Sequence, residues 1–225
     1  VRYSAYAKRA KVVIVNNIIG SGVGMQAQVK GTRKEMRADV NDSIEEAFTE
    51  WSTAEQCHTG GKMHFSDLER AAMGQVFEAG EILIRKHYFG SGKVPLSLEM
   101  IEPERLAHNM VDPGAVSPQG EVRMGVEVNE FGRPLAYWIR RNHPGDLRTH
   151  STSDRFERVP ASDIFHLHIV DRWPQVRGEP WMHTALRKID DMNEATAGEL
   201  AAVRASSAYF GTITTPEASN PLADA

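Results

Sequence analysis

Residues Val159–Ile189 read VPASDIFHLHIVDRWPQVRGEPWMHTALRKI, and the order of patterns in this stretch decides the fold class. Ile164–Ile169 is apolar or aromatic at nearly every position, which predicts a strand buried on both faces. The polar run from Asp171 to Gly178 predicts a loop. Glu179-Pro180-Trp181 then predicts a helix start, because a proline in the first turn lacks only an N–H that has no partner there. Trp181, Ala185, Leu186 and Ile189 share one helical stripe. A buried strand therefore hands the chain through an Arg-Gly-Glu-Pro-Trp turn to an amphipathic helix. Trp181 is expected to be buried where that helix meets the sheet, beside Phe165 or Leu167.

The flanking sequence extends the same alternation. Helices are predicted near 4–19, 34–52, 66–79, 181–189 and 190–209, and strands near 25–30, 82–89, 94–101, 124–128, 134–139 and 164–169. Thr212-Ile213-Thr214 adds a last short strand. Ser66-Asp67-Leu68-Glu69 has capping-box spacing, a serine hydroxyl and a glutamate three residues on. Strands 82–89 and 94–101 are separated by a glycine turn, and 124–128 and 134–139 by Asn129–Arg133, so both pairs predict hairpins. Asp112–Gly120 and Arg140–Phe156 predict loops. Hairpin-length connections cannot join parallel neighbours, so the fold class is α+β with mainly antiparallel strands and packed flanking helices.

Composition bounds the function. The 225 residues carry a formal net charge of −4, which gives no global attraction to nucleic acid. The single cysteine, Cys57, excludes an internal disulfide framework and fits a reducing compartment. No apolar run approaches the roughly 20 residues that span a bilayer, and no signal peptide opens the chain. Val1 falls inside a helical pattern and Ser219–Ala225 is polar, so the chain reads as a piece of a longer protein.

Several clusters invite a chemical reading. Gly20-Ser21-Gly22-Val23-Gly24 has the composition of a phosphate cradle, but it closes a helix where such a loop opens one, so a helix C-cap is expected. Cys57, His58 and His64 lack the fourth ligand and the spacing of a zinc site. Glu78, Glu81, Glu99 and Glu102 sit at element ends without a telling partner and read as surface charge. His166 and His168 alternate on one strand, so both imidazoles project to one face. With a carboxylate such as Asp171 or Glu179, and with His183 near in sequence, they would suit a metal-dependent hydrolase. No Gly-x-Ser-x-Gly elbow, phosphate-binding Gly-Lys-Ser/Thr loop or His-Glu-x-x-His helix is present. Residues 133–158 hold six arginines against three acids, making Arg140, Arg141, Arg148, Arg155 and Arg158 the candidate nucleic-acid or partner contacts.

Val176-Arg177-Gly178-Glu179-Pro180-Trp181, preceded by Arg158-Val159-Pro160-Ala161 and the His-Leu-His strand, resembles the lambda-type portal proteins of tailed bacteriophages and prophages. The same order continues upstream in Asn16–Gly22, Trp51 with Cys57, the Leu98–Leu106 phrase LEMIEPERL, and Gly125–Val128 through Gly132–Tyr137. The resemblance implies a non-enzymatic subunit, with no cofactor and no catalytic residue. It implies a wing-like region over 1–215 and a polar tail over 216–225. The implied setting is a ring of portal subunits at a capsid vertex, assembled in the bacterial cytoplasm and carried in the virion. Implied partners are other portal subunits, a terminase, capsid or scaffold proteins and head–tail joining proteins, with no membrane. DNA would pass through the channel without sequence-specific binding.

Overall fold

The computed structural model describes residues 4–31, 36–89, 92–108, 120–145, 156–209 and 211. The chain divides into two compact units, Val1–Thr184 and Ala185–Ala225. The first contains α1 (Ala5–Ile19), α2 (Ala38–Trp51), the single turn α3 (Ala54–Cys57) and α4 (Phe65–Ala79). Seven strands follow: β1 (Glu81–His87), β2 (Ser97–Ile101), β3 (Glu121–Arg123), β4 (Val126–Val128), β5 (Pro134–Arg140), β6 (Phe156–Pro160) and β7 (Ile164–His168). The second unit contains α5 (Leu186–Ala208).

The strands form a three-stranded sheet in the order β2-β1-β7 and a four-stranded sheet in the order β3-β4-β5-β6. Every strand pairing in them is antiparallel, and the architecture is the expected α+β. Alternation along β1 explains how one short sheet serves two cores. Leu83 faces the second sheet and packs with Ile101, Leu106, Val126, Val128, Tyr137, Ile139, Val159 and Ile164. Ile82 points the other way, onto Ala72 and Val76 of α4. Trp51, Cys57, Leu68 and Leu98 extend that helical side, with Phe48 and Phe65 stacked around Trp51.

Several local expectations are corrected. Segment 25–30 is not a strand: its backbone N–H groups pair with side chains of α2, Ala27 with Glu45 at 2.9 Å and Val29 with Asn41 at 2.7 Å. Only a single antiparallel bridge, Lys30 to Met36, is ladder-like. The cap of α4 lies two residues earlier than read, with the Asp67 carboxylate accepting from the backbone N–H of His64 at 3.2 Å. Glu69 reaches instead to the N–H of Val23 at 3.0 Å and braces the glycine turn that closes α1. That turn is the expected helix C-cap, with Gly20 at φ 58° and its N–H on the carbonyl of Asn16.

Segment 124–128 is a turn followed by one short strand, β4, which pairs with β3 just upstream of it. Met124 and Gly125 take φ values of 51° and 87°, the two positive values of a tight hairpin turn, and so reverse the chain between β3 and β4. Residues 156–160, assigned to loop and flank, form β6 against β5. They escaped notice because Glu157 and Arg158 put charge where strand periodicity wants apolar residues. The strand β7 is not buried on both faces. It lies at the open edge of its sheet, with Ile164 buried but Phe165 49% and Leu167 45% exposed.

The helix expected over 181–189 is absent as such. Residues 181–185 are turns, and one continuous helix runs from Leu186 to Ala208 through Gly198. The Pro180 carbonyl explains the delay: it accepts from both the backbone N–H and the ring Nδ1 of His183, which closes a turn instead of a helix. Trp181 is correspondingly not buried; it is 36% exposed and meets the Phe77 ring edge-on at 6.3 Å. The expected loop over 112–120, apart from Gly120, the strand at 212–214 and the tail over 216–225 lie outside the described residues.

Candidate functional site

Glu81 is the most consequential polar residue of the first unit. It follows Gly80, which ends α4 in the left-handed conformation at φ 88°, and it opens β1 on the same face as Leu83. That face is buried, so the carboxylate is carried inside with only 1% of the residue exposed. Its oxygens are fully occupied. Arg177 donates from Nε at 2.5 Å and also from Nη2, His166 pairs through Nε2 at 2.9 Å, and the Gly178 N–H donates at 2.8 Å. Burial alone would raise the carboxyl pKa. The bonds from His166, Arg177 and Gly178 outweigh it and hold the value at about 2.

Arg177 spreads the remaining edges of its guanidinium over backbone carbonyls. Nη1 donates to Met124 at 3.0 Å and Nη2 to Pro103 at 3.3 Å. One side chain therefore ties the start of β1, the turn after β2 and the β3–β4 turn, joining the two sheets at a single point. The backbone carrying it must come very close. A Cβ on Gly178 would overlap the carbonyl of Gly80, and one on Gly80 would overlap the backbone of Glu179. The segment Arg177–Trp181 is thus a strap laid across the α4–β1 junction, and glycine is required on both sides of the crossing.

The histidine pair belongs to this hub. The rings of His166 and His168 lie 4.2 Å apart, and Tyr137 meets His166 edge-on at 5.5 Å. Burial, then the negative charge of Glu81, push the Tyr137 hydroxyl up to about 12. Asp171 and Glu179 are both exposed, and His183 is engaged by Pro180. Among the described residues no group of three or more His, Cys, Asp or Glu side chains converges as metal ligands. Cys57 is buried, its sulfur facing the carbonyls of Ser52 and Met63, and burial pushes its thiol pKa up.

Two arginines of the 133–158 window are engaged within the fold. Arg158 grips the fully buried Glu127 with two bonds, 2.8 and 2.9 Å long. Arg140 lies over the Phe156 ring at 5.3 Å, and its carbonyl accepts from Arg105. Arg85 pairs with Glu157 at 2.8 Å. Arg141 is exposed, while Arg148 and Arg155 lie outside the described residues. Reading charge along the sequence hid Glu127, the buried carboxylate that pairs with Arg158. Glu81 was likewise missed as an interior residue. The available signal was its place two residues before Leu83, on the inward face of a strand.

Residues 1–225, the whole chain, match the family described as phage portal protein, lambda family. The chain belongs to that family. Over 209 residues it is 27% identical to a probable portal protein of Halomonas phage phiHAP-1 (isolate from the Gulf of Mexico, 2001), a match covering 92% of this chain and 40% of that protein. The chain therefore spans less than half the length of that relative. Its fold is similar to a chain in the virion of a native gene transfer agent particle, with a TM-score of 0.50 and 14% identity, over 93% of this chain and 42% of that one. The buried Glu81–Arg177 hub holds elements of this chain together.

Proposed function

We propose that this chain is the wing-like part of a portal subunit whose longer form assembles, copy against copy, into a ring at one vertex of a bacteriophage capsid. DNA enters and leaves through the axial channel of that ring, a terminase works against it during packaging, and head–tail joining proteins bind it afterwards. Capsid or scaffold proteins surround it, and assembly takes place in the bacterial cytoplasm before the ring is sealed into the virion. The observation that carries this reading is the family match over all 225 residues.

Charge supports it. A channel that lets DNA slide must not retain phosphates, because each lysine or arginine contact adds affinity and drag. The net charge is −4, and Arg85 and Arg158 are paired with Glu157 and Glu127. The test is electron microscopy of the full-length protein that contains this chain. Closed rings with an axial channel are expected. A closed two-fold dimer, or a monomer at every concentration, would overturn the proposal.

A further inference from the structure

We infer that the adjacent imidazoles of His166 and His168 make the Arg177–Trp181 strap an acid-labile latch, released when His168 takes a proton from solvent. The inference begins with hydrogen-bond supply. A charged imidazole presents two N–H donors and needs two acceptors. His168 Nδ1 is buried and has no hydrogen-bond partner among the described residues. The nearest carboxylate, Glu81, is already filled by His166, Arg177 and the Gly178 N–H.

Charge balance points the same way. Glu81 is paired with His168 across the β1–β7 ladder, and among the described residues it is the acid inside the hub. His166 lies beside His168 on β7, with ring centroids 4.2 Å apart, and Arg177 on the strap already offsets the Glu81 charge. On the α4 side Glu69 lines the same groove, with one carboxylate oxygen accepting from the Val23 N–H. From β5 the neutral Tyr137 packs on His166. A proton on His168 therefore sets a second cation against Arg177 beside a Glu81 whose acceptor positions are already taken. Burial first, then His166, outweigh the opposing pull of Glu81 and, with Arg177, lower the His168 pKa, so the latch is closed at neutral pH.

Solvent has a route to the pair, since both rings line the groove bordered by Ile18, Leu167 and Trp181. Two ways of relieving the excess charge exist: moving His168 out through the groove, or drawing Glu81 away from the strap. The second loosens the Gly178 and Arg177 bonds that hold the strap down, because both bonds end on Glu81. Trp181, three residues past Gly178 and seated on Phe77, reports the release.

The experiment is fluorine NMR of the 225-residue chain carrying 5-fluorotryptophan, its four indole signals assigned with Trp181→Phe. As the pH falls below the ordinary imidazole value of about 6.5, the Trp181 signal is expected to shift and broaden while far-UV circular dichroism stays native. In His168→Gln it should hold still over the same range. A Trp181 signal that moves equally in His168→Gln, or only on global unfolding, overturns the latch. Should His168→Gln fail to fold, nitrogen-detected titration of His168 in the unaltered chain decides instead. Charging of His168 without a response at Trp181 overturns the latch, and a concurrent response upholds it.

Discussion

A carboxylate that is 1% exposed and bonded to two cationic or ionisable side chains and a backbone N–H has no alternative solvation if a partner is lost. Removing Arg177, as in Arg177→Met, strands the Glu81 charge and is expected to cost about 3–5 kcal/mol of unfolding free energy in urea titrations. The pairing also sets a sign for pH. Glu81 has a folded pKa of about 2 against an ordinary value of 4.5, so the folded state binds the proton less readily than the unfolded one. The resulting stabilisation is complete above pH 4.5 and is lost as pH falls from there towards 2, amounting to on the order of 3 kcal/mol. Melting temperatures followed down this range should fall steeply in the unaltered chain. In Glu81→Gln they should start lower and fall less, and parallel curves would show that the charge of Glu81 is not what holds the strap. Neither residue announces itself in sequence. A glutamate after a glycine and an arginine before one look like surface punctuation until β1 turns the first inward and the strap delivers the second.

At the scale of elements, what was legible depended on whether periodicity or long-range pairing formed the element. The helices α1 and α4 and the hairpin β1–β2 follow from local pattern and were readable within a few residues. The failures share a physical cause. Segment 25–30 satisfies its backbone through Glu45 and Asn41, β6 is a strand because β5 lies beside it, and residues 181–185 are held off helix by a turn on Pro180. In each case the deciding partner is distant or non-periodic. Two glycines separate these regimes experimentally. Gly178→Ala must drive its methyl into the backbone of Gly80, so it should abolish cooperative folding or lower the melting temperature sharply. Gly198 lies inside α5 with nothing within 4 Å of an added Cβ. Gly198→Ala should therefore raise the helical signal in circular dichroism and stabilise α5 by about 0.5–1 kcal/mol, through helix propensity alone. A neutral Gly178→Ala would remove the close crossing from the account of the strap.

For the molecule as a whole, the proposed ring makes a quantitative demand. A head-to-tail assembly needs two different complementary surfaces on every subunit, and a stable specific contact buries about 800 Å² on each partner. This chain spans 40% of the length of its Halomonas phage relative, so it brings only the part of that contact that its own surface supplies. Association must also overcome several kcal/mol of lost rigid-body freedom before any affinity appears. Charge adds little, because Arg85 and Arg158 already have carboxylate partners within the chain and salt screens whatever exposed charge remains. Light scattering of the 225-residue chain at moderate salt should therefore give a monomer, or a mass that rises with concentration, while the full-length protein gives rings. A stable ring formed by this chain alone would place the assembly determinants within these residues. A tight two-fold dimer with a large apolar interface would instead count against ring formation, because a surface that closes on itself leaves nothing to propagate head to tail.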